Sequence, residues 1–185
     1  MMDALNISLF LALNAPAEPS GFMLAMALFG ARWLVYVAAL AMVAMILVGP
    51  RSARGGFIAT CVGAIAGLTV NFIIRHLWYH PRPFALGLGH QFLFHAPNAS
   101  FPSDHATFMW ALACGLLVSG ASRVIGFLFF LFGLWVAWAR IYVGIHFPLD
   151  MVGALLVAIA AGFFAASIRS AADSWVTYAL KFRRR

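Results

Sequence analysis

Acidic residues are the scarcest chemistry in this chain: 185 residues hold five Asp and Glu against 12 Lys and Arg, and charged residues of both signs make up only 9%. A soluble globular domain carries about a quarter of its residues charged, so this composition excludes one. With 64% hydrophobic residues and a mean hydropathy of +0.96, the sequence reads as an integral membrane protein. Cysteine is scarce too. Cys61 and Cys114 each lie inside an apolar run, which reads as small core residues and supports neither a disulfide framework nor a cysteine metal site. No Ser/Gly/Pro-rich linker, low-complexity tract or fixed-period repeat interrupts the chain, so one domain over 1–185 is expected. Ahead of the apolar residues 4–13 there is Asp3 and no Lys or Arg, so Ala15-Pro16-Ala17 is not read as a signal cleavage site and the segment is expected to be retained.

The net charge of +7 does not point to nucleic acid, because the basic residues are divided between the ends of hydrophobic runs and three polar motifs. A helix needs about 20 mostly apolar residues to cross a bilayer. Runs at 33–49, 55–75, 103–120, 122–142 and 148–168 meet or approach that length, so an all-α polytopic bundle of five crossings is expected. Residues 1–32 are expected to form N-terminal interfacial helices, with a sixth crossing as the alternative; 33–168 form the transmembrane core and 169–185 a cytoplasmic basic tail. Successive crossings alternate sides. Arg51, Arg54, Arg123, Arg169, Lys181 and Arg183 to Arg185 fall on one side, which the positive-inside rule makes cytoplasmic. The other side receives all three polar motifs and all six histidines, His76, His80, His90, His95, His105 and His146.

The first motif runs from Arg75 to Pro83, the second is Pro102-Ser103-Asp104-His105, and the third runs from Arg140 to Asp150. Arg75, Arg82 and Arg140 stay charged at the edge of hydrocarbon, so they require anionic partners or water. Three forked guanidiniums suit phosphate and the charge that develops on it during transfer. At Pro102 a helix start leaves backbone N–H groups free for an anion, with Ser103 as a hydroxyl donor and His105 within reach as a general acid. Helix capping by Ser103 and Asp104 explains the same four residues taken alone. In the third motif Gly144 ends one helix and Pro148 starts the next. His146 and Asp150 stand one turn apart, so the carboxylate can hold one ring nitrogen while the other attacks phosphorus. A His–Asp pair that merely joins two helices is the alternative.

A metal is not expected: no His-x3-His or Cys-x2-Cys spacing occurs, and the arginines would repel a cation. No cofactor is expected either. His76, His90 and His95 read as interfacial or loop residues, and His80 and Asp104 as accessory groups near a headgroup.

In order and spacing, Arg75-x6-Arg82-Pro83, Pro102-Ser103-Asp104-His105 and Ala139-Arg140-x5-His146-x3-Asp150 resemble the signature of the type 2 phosphatidic acid phosphatase superfamily. The resemblance implies a four-helix catalytic core with His146 as nucleophile, Asp150 as its partner, His105 as general acid, and Arg75, Arg82, Ser103 and Arg140 as phosphate ligands. Three positions depart from the pattern: Arg75 stands for lysine, Asp104 for glycine and Ala139 for serine. The Pro-Ser-Asp-His form and the string Arg140-Ile141-Tyr142-Val143-Gly144-Ile145-His146 are most similar to the bacterial undecaprenyl-diphosphate phosphatases linked to bacitracin resistance. The implied activity is removal of the terminal phosphate of undecaprenyl diphosphate at the external face of the bacterial cytoplasmic membrane, in cell-wall carrier recycling. Implied partners are that lipid and the surrounding membrane lipids. Phosphatidylglycerophosphate, phosphatidic acid or lipid A are alternative substrates, and a transporter or haem-binding membrane protein is the alternative outside enzymes.

Overall fold

The computed structural model describes residues 2–182, which fold into seven α-helices with no strand among them. They are α1 (Met2–Leu13), α2 (Gly21–Arg32), α3 (Leu34–Val48), α4 (Arg54–Leu77), α5 (Asp104–Ser119), α6 (Arg123–Tyr142) and α7 (Pro148–Phe182). Local signals set their ends. The hydroxyls of Ser20 and Ser122 accept from Met23 N–H (3.2 Å) and Ile125 N–H (3.4 Å), capping α2 and α6. Gly120, at φ +68°, closes α5, and the Arg169 guanidinium of α7 donates to the Ser119 carbonyl left open there. Pro148 opens α7, where its missing N–H costs nothing.

Length and hydropathy qualify α4, α6 and α7 as membrane spans, and α2 with α3 qualifies as a pair bent by 48°. The boundary expected at residue 33 coincides with this bend, and the residues on either side reach spanning length only together. Arg32, next to the bend, places its guanidinium 5.2 Å from the centre of the Trp33 ring. The expected crossing at 103–120 is α5, and its 16 residues rise only about 24 Å, short of a roughly 30 Å hydrocarbon core. It is nonetheless a passage from one end of the bundle to the other. α4, α6 and α7 pack around it, and Met109, Leu112 and Leu116 are wholly buried, so protein and not lipid surrounds most of it.

Small residues allow that close packing. A side chain at Gly63 of α4 would strike the Ala161 carbonyl (2.7 Å) of α7, and one at Gly162 of α7 would strike Cys114 Cβ (2.6 Å) of α5. Outward, the helices present Leu40, Leu47, Ile65, Val124, Leu156 and Phe163, all exposed. An apolar exterior around a packed bundle of spanning helices is that of a multi-pass membrane protein. α7 continues unbroken past the expected crossing at 148–168 into the expected tail, while Arg183, Arg184 and Arg185 lie outside the described residues.

Candidate active site

Four helix ends meet at one end of the bundle: the C-termini of α4 and α6 and the N-termini of α5 and α7. The three motifs occupy those ends and the loops between them, so the convergence expected from counting crossings is present. At the centre is His146, in the loop from α6 to α7, 1% exposed. The loop turns at Gly144, whose φ of +83° and contact with the His90 carbonyl leave no room for a side chain.

His146 Nδ1 lies 3.0 Å from Asp150 Oδ2, while Nε2 lies 3.0 Å from Arg82 Nη1 and 3.3 Å from Arg140 Nη2. Guanidinium nitrogens only donate, so Nε2 must be the lone-pair nitrogen and the proton resides on Nδ1, donated to Asp150. Burial, reinforced by the charges of Arg140 and Arg82 and then of His95 and His105, holds the imidazole well below its ordinary pKa of 6.5. The ring is therefore neutral at physiological pH, with its nucleophilic nitrogen facing two cations.

Asp150, fully buried, accepts three bonds on Oδ2: from His146 Nδ1, from Phe147 N–H (2.8 Å) and from the Ser100 hydroxyl. Ser100 also lies 3.3 Å from His146 Nδ1. Neither Ser100 nor the Phe147 amide stood out in the sequence, because a lone serine outside a motif carries no spacing signal.

Arg82 is fixed on all sides. Nε donates to Asn98 Oδ1 (3.0 Å), Nη1 to the Ile145 carbonyl (2.8 Å) and Nη2 to the Ala99 carbonyl (3.2 Å). Burial lowers its pKa to about 10. Arg140 donates from Nη1 to the Ala31 carbonyl of α2 (2.9 Å), and its buried Nε has no protein partner. The Ser103 hydroxyl is also buried without a partner. It sits at the N-cap of α5 but makes no cap bond, so capping does not explain it. Arg140, which touches His146, and Ser103, whose amide bonds the Asp150 carbonyl, each carry a buried donor without a partner, which is what an anion site requires.

Arg75 and Asp104 form an ion pair with each other, and Asn71 Nδ2 holds the carboxylate from the other side at 3.0 Å. Arg75 thus stands farther from His146 than the other two arginines, on a partner the sequence did not assign to it. His105 follows Asp104 in the first turn of α5, and its charge reaches His146. His80 lies edge-on to Phe147, ring centres 5.8 Å apart, with Nδ1 buried and unpartnered. Of the histidines read as loop residues, His95 faces the site. Burial lowers its pKa, partly offset by its bond to the Ala96 carbonyl, and the charges of Arg82 and Arg140 act on it. His76 bonds the Phe72 carbonyl and His90 is exposed, so neither enters the site.

An imidazole held by a carboxylate and flanked by guanidiniums, at one end of a membrane helix bundle, defines a histidine-centred phosphate site in an integral membrane protein. The chain belongs to the PAP2 superfamily, whose family profile matches residues 56–173. It is 36% identical over 156 residues to YbjG of Escherichia coli (strain K12), named as a candidate undecaprenyl-diphosphatase, covering 84% of this chain and 78% of that one. It is 34% identical over 159 residues to the undecaprenyl-diphosphatase BcrC of Bacillus subtilis (strain 168), covering 86% and 81%. Among solved structures, LpxE of Aquifex aeolicus superposes with a TM-score of 0.69 at 24% identity, over 88% of this chain and 95% of that one, which shows the fold.

Proposed function

We propose that the protein is a membrane lipid phosphatase that converts undecaprenyl diphosphate and water into undecaprenyl phosphate and inorganic phosphate. The observation that carries this reading is the His146 ring, with Nδ1 on Asp150 and Nε2 between Arg82 and Arg140. The terminal phosphate binds Arg82, Arg140 and the Ser103 hydroxyl. Nε2 attacks its phosphorus, the bond from phosphorus to the bridging oxygen breaks, and undecaprenyl phosphate leaves with its oxygen protonated by His105. Asp150 stabilises the positive ring. Water then attacks the phosphohistidine, giving its proton to His105 and releasing inorganic phosphate.

A lipid substrate is supported by a groove of about 300 Å3 lined by Val35, Tyr36, Ala39, Leu68 and Phe108, with Asp104 and His105 in its wall. Apolar walls joining a phosphate site suit a headgroup whose hydrocarbon chain stays in the bilayer. The relatives named undecaprenyl-diphosphatases favour that lipid over other phosphate lipids. The distribution of basic residues favours a site facing outward from the bacterial cytoplasmic membrane.

Purified protein in mixed micelles, assayed with EDTA present against undecaprenyl diphosphate, phosphatidylglycerophosphate, phosphatidic acid and lipid A, tests the proposal. The highest kcat/KM is expected on undecaprenyl diphosphate, and rapid quench with labelled terminal phosphate is expected to trap label on His146. A clear preference for a glycerophospholipid overturns the substrate, and undiminished turnover in His146→Ala overturns the mechanism.

A further inference from the structure

α1 lies ahead of the residues that match the family profile, and at 12 residues it is too short to span a membrane. Its sequence places Asn6 and Phe10 four residues apart on one helical face, and Asn14, just past the end of α1 with its amide bonded to the Phe10 carbonyl, continues that spacing. The other faces carry Leu5, Leu9, Leu11 and Leu13, all exposed. This reverses the pattern of an interfacial anchor, which turns its polar side to water. Here both asparagines point inward.

Each residue of the stripe grips the loop that carries His146. Asn6, 4% exposed, accepts from Leu149 N–H at 3.0 Å, just past the loop's end. Phe10, wholly buried, meets Phe147 edge-on with ring centres 5.3 Å apart. Asn14 Nδ2 donates to the Tyr142 carbonyl at 3.0 Å, where the loop begins, and the next backbone amide, Ala15 N–H, donates to the same carbonyl at 2.9 Å. Asn14 also makes a two-way bond with the His90 backbone, Oδ1 accepting from N–H (2.7 Å) and Nδ2 donating to the carbonyl (3.0 Å). That second grip ties down the 84–101 segment, whose Phe92 N–H bonds the Val143 carbonyl at 3.0 Å.

Backbone groups between two helix ends have no helical partners, and near lipid they cannot rely on water. α1 supplies those partners at both ends of the loop and a ring in its middle. We propose that α1 is a brace of the reaction centre, in which Asn6 and Asn14 are positioning residues that hold the 143–147 loop through its flanking residues Tyr142 and Leu149 and so aim His146 Nε2 at phosphorus. The proposal rests on His146 being the nucleophile.

Asn6→Leu and Asn14→Leu in the full-length protein keep side-chain size and remove the bonds. With undecaprenyl diphosphate in mixed micelles, kcat is expected to fall by about tenfold or more, because misplacing reacting atoms by about 1 Å costs on the order of 100-fold. KM is expected to change much less than kcat, since Arg82 is also held outside that loop by Asn98 and Ala99, and Arg140 by Ala31. The acid limb of kcat is expected to move to higher pH, as a loosened loop admits water to His146. Asn6→Asp, which keeps the acceptor for Leu149 N–H, is expected to recover most of the loss. Wild-type kcat in both leucine variants overturns the brace. So does a loss that follows the thermal unfolding midpoint, with an unmoved acid limb and no recovery in Asn6→Asp, because that pattern marks α1 as structural support alone. Undiminished turnover in His146→Ala is a separate outcome, which removes the nucleophile assignment and the brace with it.

Discussion

Replacing Asp150 by asparagine tests the centre of the proposed mechanism with the smallest change of shape. Oδ2 of Asp150 receives three donors, from His146, Phe147 and Ser100, while Oδ1 is buried with no partner. An asparagine therefore has no good orientation. With its oxygen toward the three donors, its NH2 group is stranded where Oδ1 was, at a cost of about 1–3 kcal/mol of stability. Flipped, the NH2 group opposes His146 Nδ1–H and favours the wrong tautomer, which blocks Nε2. In either case the carboxylate charge that supports a positive ring during phosphoryl transfer is gone. A hydrogen bond to a charged group contributes about 1.5–3 kcal/mol, so kcat should fall by about 10- to 150-fold from this term alone. A full tautomer reversal would deepen the loss toward about 10,000-fold, the scale of the same change in a serine-protease triad. KM should change little, because the Asp150 side chain bonds none of the phosphate ligands; only its backbone carbonyl meets the Ser103 amide, and the substitution leaves that in place. Steady-state release of phosphate, with rapid-quench measurement of the phosphoenzyme, gives both numbers. A kcat within about twofold of wild type, with phosphohistidine forming at the normal rate, would refute the assignment of Asp150 as orienter of His146.

Three further outcomes follow from the site. Because burial first and then Arg140 and Arg82 depress the His146 pKa, the folded ring refuses a proton that the unfolded chain accepts near 6.5. This group's contribution to stability is therefore present above pH 6.5 and lost as pH falls toward the folded value, so thermal midpoints should decline with acidification while kcat retains an unprotonated nucleophile below pH 6.5. On the alkaline side turnover should fall as pH passes about 10 and Arg82 loses its charge; an acid limb for His146 at or above 6.5 would contradict this reading. Arg75 and Asp104 are each other's ion-pair partner, so Arg75→Ala and Asp104→Ala should be non-additive in kcat/KM, with a coupling of at least about 0.5 kcal/mol in a double-mutant cycle. Additive losses would show that the pair does not act as a unit.

Much of this was legible in the chain because membrane proteins write their topology in hydropathy. Long apolar runs located α4, α6 and α7, and alternation of ends brought Arg82, His105, Arg140, His146 and Asp150 together without any contact information. What stayed illegible depended on distance in space. Asp104 and Arg75 each looked like a separate departure from the family pattern, 29 positions apart in sequence, yet they form one ion pair. Ser100, Asn98 and the backbone carbonyls that hold Arg82 carry no spacing signal, since a buried donor is satisfied by whatever acceptor the fold places beside it. α5 looked like one more crossing because its composition matches one. Its brevity is tolerable only because three longer helices enclose it, a property of packing that hydropathy does not encode.

The same geometry would keep His146, the proposed nucleophile, from unproductive protonation. Arg82 and Arg140 both direct N–H groups at His146 Nε2, so the lone pair is occupied by donors that cannot transfer a proton near neutral pH. Phosphate oxygens are stronger acceptors for guanidinium than an imidazole nitrogen. In the proposed mechanism the phosphate takes up the guanidinium N–H groups that point at Nε2, while Arg82 stays tethered to Asn98, Ile145 and Ala99, and Nε2 is left facing phosphorus. Charge supports the exchange: Arg75 is already matched by Asp104 and the His146 ring is neutral, so Arg82 and Arg140 are the cations beside Nε2 that would meet the headgroup. A third free cation here would hold the released phosphate more tightly, and product departure would slow. Under the proposed function, the Arg75–Asp104 pair would lower the net positive charge near the site, which would favour release of inorganic phosphate.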